Sequence, residues 1–342
     1  MSEPTTPRPD VARGAAELLH TCLACTGADR VLVLTDRATR PLAEVIADQA
    51  RSVTSASVAV IPDIAAGYET ARQEIERALD THRPTVTVFA AADPGDLLAW
   101  DPTFWDHLER LGARHAHMPA LDDVCLGIGM AVDYTEVARF TLGVRDLLAG
   151  TRSAHITSAT GTDLSLTCSP DRPWTPFTGL YQCGGQGGRL PQGEVFCTPL
   201  TAEGILAVSV VGYPFNAESG LLAEPLLIEV ADGSAVAFDH PDERFASRLG
   251  TWLGDAPGGL RLGEFALGTN RSLPAITGNL LFDENVPGVH IAFGHPFPDY
   301  TGADWESPVH VDMVVERPSV HMDGLTVLTD GRYRIPDRLP RS

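Results

Sequence analysis

Short apolar runs alternate with amphipathic stretches through the first part of the chain. RVLVLTD at 30–36, SVAVIPD at 57–63 and PTVTVFA at 84–90 are rich in β-branched residues and nearly continuous in their apolar character. Strands buried on both faces of a parallel sheet have this pattern. Between them, RPLAEVIADQARSV at 40–53, with Pro41 near its start, and ETARQEIERALD at 69–80 carry helical spacing. The sequence predicts a first helix over 11–26, broken helix over 96–113, a strand and turn over 113–121 and a helix over 135–150. Strand–helix alternation of this kind predicts an open, mostly parallel α/β domain.

The texture changes after 150. SAHITSAT, DLSLTCS, GLYQCGG, EGILAVSVVG and LLIEVADGSAVAFD read as strands separated by Gly, Asp and Pro turns, with one helix over 242–254. The expected organisation is an N-terminal α/β domain over 1–150 and a β-rich α+β metal-binding domain over 151–342. MSEPTTPRPD and PDRLPRS read as loose polar tails. The glycine-rich CGGQGGRLPQGE lacks the ending of a phosphate-binding loop, and no GxGxxG follows the first strand, so it reads as a flexible loop delivering Glu194.

A net charge of −20 argues against broad binding to nucleic-acid backbones and gives no support for anionic membranes. No apolar run is long enough to span a bilayer and no secretory segment opens the chain, so a cytoplasmic, soluble protein is expected. The six cysteines are too scattered for a disulfide scaffold. Cys22 and Cys25 lie in a helix-like stretch and read as packing residues.

Candidate chemistry concentrates near the C-terminus, in LGEFALGTN, TGNLLFDENVPGVHIAFG and SPVHVDM, with GEVFCTP upstream. His310 and Asp312 stand at i and i+2, which puts both on one face of a strand. They are metal ligands or a hydrogen-bonded core pair. Glu264 in its apolar run needs a partner, a metal or an ion pair. Glu284 (or its neighbour Asp283) and His290 are candidates to bind metal, orient a ligand or move a proton. Glu194 reads as ligand or base, or as a turn carboxylate. His295 lies close enough in sequence to face substrate. Asn270 and Asn279 read as turn residues and Arg271 as a counter-charge. His115 and His117 form a same-face pair with no carboxylate in view, and His321 reads as surface sheet.

The series GEVF, GEFALGTN, LFDEN, HIAFG and HVD resembles the thermophilic-type metalloaminopeptidases, the M29 group, and their shorter relatives, which include 2,5-dihydroxypyridine ring-cleaving dioxygenases. The likeness is strongest over 187–200 and 260–333 and weak over 12–36. For a peptidase it implies two divalent ions (Zn, Co or Mn) on Glu194, Glu264, Glu284, His290, His310 and Asp312. Phe297 stands where those enzymes carry a catalytic tyrosine. For a dioxygenase it implies one Fe(II) on Glu264, His310 and Asp312, with Glu264 replacing a histidine, and O2 as co-substrate. Glu194, His290 or His295 would then position or deprotonate the substrate. The shorter length and Phe297 favour the oxygenase, acting on a hydroxylated pyridine-type ring. An Ala-, Arg- and Pro-rich composition suggests the narrower case of a pyridine C-nucleoside rearranged to an oxazine in antibiotic biosynthesis. An aminopeptidase or amidase is the alternative, and a non-catalytic small-molecule binder a third. The resemblance also implies a homodimer.

Overall fold

The computed structural model describes residues 8–336, so most of the two tail segments lies outside the described residues. The described residues divide into two compact units, one formed by 8–138 with 179–192, the other by 139–178 with 193–336.

The first unit is a five-stranded parallel sheet. Strands β1 (Arg30–Thr35), β2 (Ser55–Val60), β3 (Val86–Ala91) and β4 (Arg114–Pro119) are joined by Gly187–Arg189, β8 in chain order, in the order β2-β1-β3-β4-β8. Buried Val31, Leu32, Val33 and Leu34 fill both faces of β1, as its unbroken apolar run predicts. The helix Arg40–Arg51 buries Ala43, Ile46, Ala47 and Ala50, the single stripe that its spacing encodes. Helix Tyr68–His82 buries Ala71, Ile75 and Leu79 and ends on Arg83 in the left-handed conformation. Helix Pro102–Leu111 starts on Asp101, whose carboxylate accepts from Thr103 N at 2.9 Å, and stops at left-handed Gly112.

Two sequence expectations change here. The first helix is α-helical only over Val11–Glu17 and continues as a π-turn, Leu18–Cys22. The glycine-rich segment is not simply a loop: its Gly187–Arg189 adds a parallel strand to β4, while the strand expected over 179–185 does not form. Gly187 permits this, since a Cβ there would lie 2.8 Å from that of His115.

The second unit is built on a 13-stranded antiparallel sheet. Its strands are β5 (Ser153–Thr157), β6 (Asp163–Thr167), β7 (Thr175–Phe177), β9 (Glu194–Cys197), β10 (Thr201–Val211), β11 (Leu221–Ala231), β12 (Ser234–Asp239), β13 (Leu262–Gly268), β14 (Gly288–Gly294), β15 (His310–Val315), β16 (Ser319–Met322), β17 (Leu325–Thr329) and β18 (Arg332–Tyr333). The order runs β18-β17-β16-β5-β6-β10-β15-β14-β13-β9-β7, with β11 and β12 branching from β10. Helix Glu243–Asp255, capped by Asp242, buries Phe245, Ala246, Leu249 and Leu253. The fold is therefore a parallel α/β unit and a larger β-rich α+β unit. Among the described residues no helix is long and apolar enough to cross a membrane.

In the first unit, Arg114 forms a mostly buried ion pair with Asp29 and donates to the carbonyls of Leu23 and Ala24. Burial raises the Asp29 pKa, but hydrogen bonds from Arg114, Thr26 and Thr85 outweigh it and hold the carboxyl at about 2. Arg114→Met should destabilise the protein by about 3 kcal/mol near neutrality, because it leaves Asp29 without its counter-charge. The Asp29 contribution is present above the unfolded carboxyl pKa of ~3.9 and is lost as pH falls toward 2. Urea denaturation of both proteins at neutral and acid pH should show the difference shrinking on acidification.

Candidate metal centre

Four adjacent strands, in the order β15-β14-β13-β9, carry the candidate residues. Gly268 pairs with Glu194, Ala266 with His290, Ala292 with Asp312 and Gly294 with His310. Directly opposed residues of an antiparallel pair share a face, and so do residues two apart on one strand. The register therefore puts Glu194, Glu264, His290, His310 and Asp312 on the same face. Among their partners there, Ala266, Gly268, Ala292 and Gly294 leave room for the long polar side chains, while Val314 stands opposite His290 and Phe177 opposite Glu194. The opposite face presents Val195, Phe265, Leu267, Val289, Ile291, Phe293, Val311 and Met313, all in the main hydrophobic core. A one-residue slip of any strand would exchange the two faces.

The side chains converge on Glu264. His290 Nε2 lies 3.2 Å from Glu194 Oε2 and 3.4 Å from Glu264 Oε1. His310 Nε2 lies 3.7 Å from Glu264 Oε2 and 3.2 Å from Asp312 Oδ1. Thus the two oxygens of one carboxylate face two different imidazoles. Glu194, Glu264 and His290 offer ligand atoms within 4.8 Å of one another, and all three are buried. His310 Nδ1 lies 2.9 Å from the His295 carbonyl oxygen, which can only accept, so this nitrogen carries a proton. That leaves Nε2 to face Asp312 and Glu264 either as the second N–H of an imidazolium or as a lone pair for a cation.

Electrostatics say the same. Burial alone would push His290 down, but its hydrogen bonds to Glu194 and Glu264 hold it well above an ordinary imidazole. Burial likewise opposes protonation of His310, and Asp312 outweighs it and raises the group. Burial raises Glu264, with His290 and His310 pulling the other way. The buried carboxylates thus draw protons onto both imidazoles when no cation is present. A donor set of carboxylate oxygens and imidazole nitrogens suits a divalent first-row ion, so the residues fit a metal.

The structure also places the other candidates. Glu284 is buried at the C-cap of the short helix Leu280–Asp283 and is not one of the three clustered ligands. Asp283 clamps a turn, accepting from Thr277 N at 2.6 Å and Gly278 N at 2.7 Å. Asn279 caps the same helix. Arg271 sits over the Phe140 ring. His295 is half-buried, and its Nδ1 accepts from Phe297 N at 3.1 Å. All six cysteines are free. His115 and His117 do have a carboxylate: His117 Nε2 is 2.9 Å from Asp96 Oδ1, and Asp96 also pairs with Arg189. That partner lies 21 residues away, on the far side of helix Pro102–Leu111 in the sequence, beyond the reach of local spacing. Sequence reasoning also missed Phe196, which alternation in GEVF places on the face of Glu194.

Fold and site together define a protein with a parallel α/β unit and a β-rich α+β unit that carries a candidate metal-binding cluster. A family model, Thermophilic metalloprotease (M29), matches residues 134–333, more than half of the chain, and the protein belongs to that family. No curated protein matches the sequence. Among solved structures, the chain is similar to wild-type AmpT from Thermus thermophilus, at 17% identity and TM-score 0.69, covering 95% of this chain and 99% of that one. It is also similar to 2,5-dihydroxypyridine dioxygenase from Pseudomonas putida KT2440, at 16% identity and TM-score 0.66, covering 97% and 99%. At these identities the two structures establish a shared fold. The three-residue cluster and the family together support a metal-dependent catalytic function with a site for one ion.

Since cation and proton compete for His290, metal binding should expel protons, and metal affinity should rise as pH rises toward the elevated His290 pKa. Titration of the metal-free protein with Mn(II) or Zn(II) in weak buffer should show proton release. An affinity constant between pH ~6 and ~8 would exclude His290 as a ligand.

Proposed function

We propose that the protein is a metal-dependent amide hydrolase of the aminopeptidase or amidase type. The observation that carries this reading is the placement of Glu264, one oxygen toward His290 and the other toward His310. A carboxylate so placed suits two neighbouring cations better than one. Glu194, Glu264 and His290 would hold one ion, and Glu264, His310 and Asp312 the other, with Glu284 completing the set. Such ions, when bound, polarise a scissile carbonyl and lower the pKa of water.

The chain's own residues supply the rest. Burial lowers the His295 pKa, and with Nδ1 accepting from Phe297 N the neutral imidazole carries its proton on Nε2, from which it would donate a hydrogen bond to position substrate. The His295 carbonyl fixes the His310 ring through Nδ1 and aims Nε2 at the centre. The apolar core behind the four strands keeps water from the opposite side of the sheet.

A second reading rests on Phe297. A phenyl group cannot donate or accept the proton that a tyrosine would handle at this position. Without that group, Glu264, His310 and Asp312 would hold a single Fe(II), with O2 as co-substrate. The protein would then open or rearrange a hydroxylated pyridine-type ring, a pyridine C-nucleoside being the narrower substrate. Full-length likeness to a dioxygenase of this class supports that reading.

Metal analysis coupled to two assays separates them. The hydrolase reading expects two Zn, Co or Mn ions per chain, cleavage of an amino-acid anilide and no oxygen uptake. Glu264→Ala should abolish metal retention and at least about 100-fold of the activity. One iron per chain with uptake of oxygen on a dihydroxypyridine, and no anilide cleavage, would overturn it in favour of the oxygenase.

A further inference from the structure

A series of aromatic rings runs from beside the candidate metal centre to the surface. Phe297 lies against His310, with ring centroids 4.8 Å apart, and against His295 at 5.0 Å. Phe196 stands 6.3 Å from Phe297, Phe177 5.0 Å from Phe196, and Tyr300 5.4 Å from Phe177. Phe196 is fully buried, Phe177 and Phe297 are half-buried, and Tyr300 is 51% exposed. The rings meet edge-on or tilted, at interplanar angles of 57–90°.

The backbone holds Phe297 at a cost. Its φ of 50° and ψ of 65° are left-handed, a conformation that bulky residues avoid. The flanking carbonyl and helix are tied down. Thr301 Oγ1 donates to the Pro296 carbonyl at 2.7 Å, Thr198 Oγ1 lies 3.2 Å from the same oxygen, and Thr175 Oγ1 donates to the Tyr300 carbonyl at 2.8 Å. A phenyl that only filled space would need no strained backbone to aim it at two histidines. Strain that the surrounding hydrogen bonds maintain, beside a candidate centre, is a sign of a working position.

We infer that Phe297, backed by Phe196 and leading out to Phe177 and Tyr300, is a stacking platform that selects substrates with a planar aromatic ring next to the group that reaches the metal. The inference rests on the metal-dependent reading of the centre. In the hydrolase that ring is the side chain or acyl ring beside the scissile amide. In the oxygenase it is the reacting ring itself. Phe297 is thus a specificity-determining residue and has no proton to give.

Calorimetric binding of two metal-directed probes tests this without turnover. Benzohydroxamic and acetohydroxamic acids share the chelating group and differ in the ring. The metal-loaded wild-type protein should bind the aromatic probe about tenfold more tightly, the scale of one good aromatic contact plus the buried ring area. Phe297→Leu should erase that preference, leaving the acetohydroxamate affinity and the metal content unchanged. Phe297→Tyr, which keeps the ring, should retain it. Equal weakening of both probes in Phe297→Leu, or loss of metal, would show that the ring serves only His310 and would overturn the platform. So would a preference that survives Phe297→Leu, or wild-type protein that does not discriminate. The preference with neither anilide cleavage nor oxygen uptake would uphold the platform and reject both catalytic readings. Anilide cleavage without the preference would uphold the hydrolase and reject the platform.

Discussion

The candidate centre depends on one constraint, the register of four antiparallel strands. The candidate ligand side chains lie on separate segments between residues 194 and 312, and only pairing brings them together. The pairing Gly268–Glu194, Ala266–His290, Ala292–Asp312 and Gly294–His310 puts all five polar groups on one face and sets alanine or glycine on at least one side of each. The large apolar residues on the other face make this register far better than its neighbours, since a slip would bury carboxylates in the core. Core packing and assembly of the site are the same event.

That arrangement concentrates carboxylates out of water around two imidazoles. Without a cation, the site offsets its charge by holding protons on His290 and His310, whose pKa values both move upward, and burial raises that of Glu264 as well. Removing Glu264 would strip both imidazoles of a partner at once, because its two oxygens serve different rings. A bound ion would replace the protons, stabilise the folded state by mass action and make that stability depend on metal concentration.

Much of this could be read from the chain because the signals were local and periodic. The parallel strands of the first unit showed as apolar runs, and the helices between them as single buried stripes such as Ala43, Ile46, Ala47 and Ala50. HVD showed a same-face pair because a strand has period two. Contacts between distant segments were not legible. The Gly187–Arg189 strand is too short and glycine-rich to carry a strand pattern, and it exists because His115 leaves room only for glycine. The Asp96 partner of His117 and the turn clamp made by Asp283 are likewise tertiary facts. The motifs named candidate neighbours for Glu264, but which oxygen faces which histidine needed the sheet. Phe297 could be placed in the sequence, whereas its strained backbone and its contact with His310 could not.

Anomalous diffraction from crystals of the manganese-loaded protein, recorded at the metal edge, tests the central claim most directly. The account predicts a peak within coordination distance of Glu194, Glu264 and His290, with any second peak between Glu264, His310 and Asp312. Full metal occupancy at a place that Glu264 does not reach would contradict it.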